Sequence, residues 1–215
     1  MSDPQQKKEG IGCCGLGCII LILGAVVLVA GLGFGYYELT QKIHDYTAGS
    51  AKTIAVESTG PQEYEALVKK MDDFKGLPPG SDATLTITAH DLNVLIARSP
   101  QWSLVAGKIH VTIGNGQVGL IGSIPLSAIP RLRDQYWNGA LYFTPSIEGK
   151  VFHATIQGIS SDAHELPKEY RQAVIAGLEP QLNNRLLGDP VIGAVLIKAE
   201  TLKVEGDALI LTSAK

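Results

Sequence analysis

The chain has 215 residues, and its 18 Lys and Arg against 21 Asp and Glu leave a net charge near −3, with no basic footprint for nucleic acid. Its three cysteines, Cys13, Cys14 and Cys18, all fall before residue 20, so no disulfide framework supports the remainder.

After a polar tail at residues 1–10, residues 11–37 contain no charged side chain. At 1.5 Å per residue, about 20 apolar residues cross a bilayer, so this run predicts a transmembrane helix with room to tilt. A cleavable signal has a shorter apolar core ending at a small-residue cleavage site, which this run does not match. A bacterial lipoprotein would carry its cysteine after the apolar run, whereas here the cysteines precede it. Two readings of those cysteines stay open: palmitoylation, or small apolar residues filling a helix interface.

Gly17, Gly24, Gly31 and Gly35 fall on one face of the expected span, where missing side chains let a second helix approach. That face predicts a transmembrane helix partner or a homodimer. Lys7 and Lys8 before the span balance Lys42 and Lys52 after it. The first pair lies closer to the membrane and beside the free amine, which favours a cytoplasmic N-terminus and an extracytoplasmic domain.

Residues 38–52 read as a juxtamembrane linker with a hinge at Ala48-Gly49-Ser50, and residues 53–215 as a soluble α+β domain. Pro61 opens an amphipathic helix over 61–74. Residues 83–88 alternate as a strand, and Thr88 is placed to cap a helix over 89–98 whose third residue is Asp91. Strands over 104–113 and 117–124 flank Asn115-Gly116, a pair suited to the two positive φ angles of a tight hairpin. Trp137-Asn138-Gly139 then reads as a turn into strands over 140–147 and 150–159, with Pro145 marking a sheet edge or a bulge.

Pro167 opens the longest helix, 168–187, which Pro180 bends and which Gly188 ends in a positive-φ cap. Tyr170, Val174, Leu178, Leu182 and Leu186 are expected to contact the concave face of a sheet. A last hairpin, 194–204 with 208–212, closes about Gly206. The predicted fold is therefore α+β: an N-terminal transmembrane helix, then an antiparallel, curved sheet of about six strands packed on a long kinked helix.

Chemistry-bearing motifs are absent from the sequence. No G-x-S-x-G elbow, phosphate-binding glycine loop or paired-histidine metal spacing occurs. His110 and His153 fall on the polar sides of strands. Asp162, His164, Glu165 and Glu169 gather before a helix N-terminus, where the dipole alone favours acids. The expectation is a protein that is not an enzyme, with no metal and no cofactor.

The order of elements, with the phrase Leu92-Asn93-Val94-Leu95-Ile96, the turn at Asn138-Gly139, the late proline-started helix and the closing hairpin around Gly206, resembles the bacterial membrane-anchored relatives of the tubular lipid-binding (TULIP-like) domains, such as the YpmS and LmeA families. The resemblance spans about residues 83–213. It implies a half-tube of antiparallel strands wrapped on a helix, with an apolar interior that handles membrane lipid. This domain is short for a full tube, so a shallow groove is expected rather than a conduit. Leu95, Ile96, Leu120, Ile124, Phe152, Ile156, Val174 and Leu178 are the candidate groove lining. A scaffold module of the cell envelope is the alternative.

Overall fold

The computed structural model describes residues 45–55, 59–78, 81–127, 132–162 and 167–213, without the side chains of 169 and 170. The expected span, with Gly17, Gly24, Gly31 and Gly35, lies outside these residues. None of the described helices is long and apolar enough to cross a membrane.

The order of elements is α1 (Pro61–Lys75), β1 (Thr84–Thr88), α2 (Ala89–Arg98), a 3-10 turn at Pro100–Trp102, β2 (Ile109–Gly114), β3 (Gln117–Pro125), β4 (Tyr136–Glu148), β5 (Val151–Ser161), α3 (Lys168–Leu187), α4 (Ile192–Lys198), β6 (Ala199–Glu205) and β7 (Ala208–Ser213). The strands are antiparallel but form two sheets rather than the single one expected, ordered β1-β7-β6 and β2-β3-β4-β5. Strand β1 bonds to β7, more than a hundred residues away in sequence. No local pattern announces that choice.

Helix α2 links the two sheets, lying against β1 on one side and β2 on the other. Its start is locally encoded. The Thr88 hydroxyl accepts from the Asp91 amide at 3.1 Å, and the Asp91 carboxylate accepts from the Thr88 amide at 2.9 Å, a reciprocal cap. Behind it, Val94 and Leu95 are buried with Leu67, Met71 and Phe74 of α1, Leu85 and Ile87 of β1, and Val195 and Leu196 of α4. Burying each such side chain contributes about 1.5–3 kcal/mol.

The β2–β3 hairpin turns at Asn115 and Gly116, whose φ angles are +51° and +75°. Strand β2 starts at Ile109 rather than residue 104. Residues 102–108 wind through local turns, with the amides of Val105 and Ala106 both bonded to the Trp102 carbonyl and Gly107 at φ +73°.

Trp137, Asn138 and Gly139 are strand, not turn. The Asn138 carboxamide is satisfied by the Ser123 hydroxyl and the Ser50 carbonyl, and those tertiary bonds outweigh its turn preference. Gly139 is required there because a Cβ would stand 2.0 Å from the Ser160 carbonyl oxygen.

Pro145 does lie near an irregularity. Gly158 faces Tyr142 while Ile156 faces Phe143, so Gln157 is an extra residue that bends β5. Pairing of β3 with β4 ends at Phe143, so the missing Pro145 amide faces no neighbouring strand.

Two further expectations are corrected. The apolar run after Pro190 is helix α4 before it becomes β6, because Asp189 caps it: the carboxylate accepts from the amides of Val191 and Ile192, both at 2.9 Å. Gly188 has φ −80°, not a positive value. Its small size is what matters, since a Cβ would lie 2.9 Å from the Asn184 carbonyl.

Both outer edges of the four-stranded sheet are closed by asparagine side chains from helices. On β2, the Val111 amide donates to Asn93 Oδ1 at 2.7 Å and Asn93 Nδ2 donates to the Val111 carbonyl at 3.0 Å. On β5, the Ala154 amide donates to Asn183 Oδ1 at 2.8 Å and Asn183 Nδ2 donates back to the Ala154 carbonyl at 3.2 Å. Glu179, one turn earlier on α3, accepts from the Ile156 amide at 2.8 Å. A carboxamide presents one donor and one acceptor side by side, as a neighbouring strand would, so these contacts blunt edges that would otherwise pair with another chain.

Helix α3 has Pro180 inside it, which removes one intrahelical bond, and none of its described side chains is fully buried. Ile175, Leu178, Leu182 and Leu186 pack against the core, whereas Val174 does not. Because α3 rests on the sheet through half-buried contacts, Asn183→Ala is expected to cost only about 1 kcal/mol. Urea unfolding would measure that loss.

Candidate functional site

An apolar recess lies between α2 and the inner face of the four-stranded sheet. Leu92, Leu95 and Ile96 of α2, at helical spacing, form one wall. Ile109 and Val111 of β2, Val118 and Leu120 of β3 and Phe143 of β4 form the floor. The register brings these residues together, placing Val111 opposite Leu120 and Val118 opposite Phe143. Leu182 and Leu186 of α3, Ile192 of α4 and Trp102 close the remaining side.

The recess is small, with a cavity volume of about 60 Å³. Its lining residues are all aliphatic or aromatic, and the only polar side-chain atom among them is the Trp102 indole nitrogen. That nitrogen already donates to Asp189 Oδ2 at 2.9 Å. Asp189 thus holds Trp102 and starts α4 together. The Arg185 guanidinium lies 5.4 Å from the centre of the Trp102 ring and donates to the Gln101 carbonyl, so the indole is fixed from two sides.

Of the residues singled out from sequence, Leu95, Ile96 and Leu120 line this recess. Phe152 and Ile156 are buried in the core of the sheet, and Leu178 packs against that core from α3. Ile124 sits near the end of β3 opposite Trp137, and Val174 is half-exposed on α3. Sequence reasoning did not name the other nine lining residues as groove lining; among them Trp102 is brought in by a bond to Asp189, 87 residues later, while Ile192 follows from the local start of α4 at Asp189.

Of the acidic group before α3, residues 163–166 and the Glu169 side chain lie outside the described structure. Asp162 is ion-paired with Lys52 at 2.5 Å. It borders a second recess of about 140 Å³, lined also by Tyr46, Thr47, Ala48, Asn138 and Ser161, where the chain enters the domain. Among the described residues, no three His, Cys, Asp or Glu side chains gather as metal ligands would. His153 is exposed and His110 half-buried on the strands.

The lining offers dispersion contact and exclusion of water. It holds no nucleophile, acid or base, so what it can do is hold an apolar group. No family model, curated protein or solved structure matches this chain, and the site is read from its own geometry.

Proposed function

We propose that this protein is a membrane-tethered, non-catalytic lipid-binding or lipid-handling domain, anchored through residues 11–37 with its N-terminus cytoplasmic and its domain extracytoplasmic. The observation that carries the reading is the recess: a small cavity of about 60 Å³ lined almost wholly by apolar side chains. Ligand pockets are predominantly hydrophobic, as this one is, but at about 300–1,000 Å³ they are larger, so the recess is a shallow seat rather than a full pocket. At that size the recess suits part of an acyl chain rather than a whole lipid. A shallow apolar groove between an antiparallel sheet and helices also fits the likeness to tubular lipid-binding domains.

Organic extraction of the purified protein followed by lipid mass spectrometry is expected to recover a membrane lipid, and the emptied protein is expected to take up labelled fatty acid. Protein that carries no lipid and takes up none would contradict the reading and leave the scaffold alternative.

A further inference from the structure

We infer that the loop from Ser103 to Lys108, next to the Trp102 that lines the recess, docks on the lipid bilayer surface. This rests on the membrane-tethered reading and deepens it, because it names the face of the domain that meets lipid.

Leu104 is 77% exposed, the highest value among the large apolar side chains of the described residues. It lies two residues from Trp102, which lines the recess, and its carbonyl accepts from Lys108 Nζ at 2.8 Å. An apolar tip with a cationic side chain folded over it is the composition of a segment that sits at a membrane interface.

The placement of the loop points to the bilayer as the occupant. The Lys108 carbonyl accepts from the Ser123 amide at 2.8 Å, and the Ser123 hydroxyl accepts from the Lys52 amide at 3.1 Å. One strand residue therefore joins the exposed loop to the segment by which the chain enters the domain. Ala48 bridges to Tyr136, and Asn138 donates to the Ser50 carbonyl, fastening that segment to the same end of the sheet. Only seven residues, 38–44, separate the expected span from Asp45. Fully extended, they reach roughly 25 Å. The Leu104 loop therefore shares with the chain's point of entry the same end of the four-stranded sheet. The β4–β5 turn, and with it Val151, lies at the opposite end.

The test uses the full chain in vesicles of phosphatidylcholine and phosphatidylglycerol, with Cys13, Cys14 and Cys18 replaced by serine. An environment-sensitive fluorophore is attached at Leu104→Cys, at Ser103→Cys as a second site in the loop, or at Val151→Cys. Val151 is the control because it is also an exposed apolar residue, at 53%, but at the far end. Labels at 104 and 103 are expected to shift to shorter emission wavelength and to lose fluorescence to a lipid-borne nitroxide. The label at 151 is expected to lose fluorescence to aqueous iodide alone. Loop labels quenched by iodide as fully as the one at 151 would overturn the inference. So would loop labels shielded from both quenchers, which would indicate a protein partner. Carbonate extraction of the same vesicles separates the two readings: release of the chain defeats the anchor itself, whereas a retained chain with a water-exposed loop defeats only the docking.

Discussion

Replacing Asn93 with leucine is expected to destabilise the domain by about 3 kcal/mol, because a buried amide and a buried carbonyl lose their partners together. Asn93 is 7% exposed, and both of its long-range bonds go to Val111 on the outer edge of β2. Leucine has the same branching and number of heavy atoms as asparagine, though it is bulkier, and it improves the apolar character of α2, so a simple hydrophobic account predicts a gain. The edge-closing account predicts a loss. Asn93→Asp separates the causes further, since aspartate keeps the acceptor for the Val111 amide but sets a second acceptor against the Val111 carbonyl. Urea unfolding should rank both variants well below the wild type and below Asn183→Ala, whose equivalent bonds on β5 are half open to water. An Asn93→Leu protein as stable as the wild type would show that the β2 edge needs no closing partner.

Leu182→Trp is expected to abolish uptake of labelled fatty acid, with affinity falling at least about tenfold, which is only about 1.4 kcal/mol. Leu182 lines the recess from α3, a helix with no fully buried side chain among those described, so an indole can enter the open space without forcing the core apart. The cost to stability should stay below about 1.5 kcal/mol. The position is chosen because loss of binding and loss of fold are then distinct readings. Thermal unfolding near that of the wild type together with lost uptake supports the recess as the binding site. Unchanged uptake would place the lipid elsewhere.

The features legible in the sequence are those whose causes are local. The Thr88–Asp91 cap, the positive-φ pair at Asn115 and Gly116, and the proline before α3 each act over a few residues, and they set α2, the β2–β3 hairpin and the start of α3 where expected. The division into two sheets was not legible, because β1 finds its partner β7 across most of the domain. The apolar run from residue 191 to 197 has no clear period and reads equally as strand or helix. The Asp189 cap decides for helix. Asn93 and Asn183 looked like ordinary polar positions on helices. Only Asn93 carried a hint, since it sits between Leu92 and Val94 in a run that is otherwise apolar. Leu95, Ile96 and Leu120 could be named from sequence because each lies on the apolar side of its own element. Trp102 could not, because its place in the recess depends on Asp189 and Arg185, more than eighty residues later.

The central claim is that lipid occupies the recess of the domain and not merely the surroundings of its anchor. Photo-crosslinking answers that directly: the full chain is loaded in membranes with a fatty acid carrying a diazirine, irradiated, digested and mapped by mass spectrometry. The account predicts adducts on peptides from α2 through Trp102 and from the end of α3 into α4, in addition to any within residues 11–37. Adducts confined to residues 11–37 would contradict it.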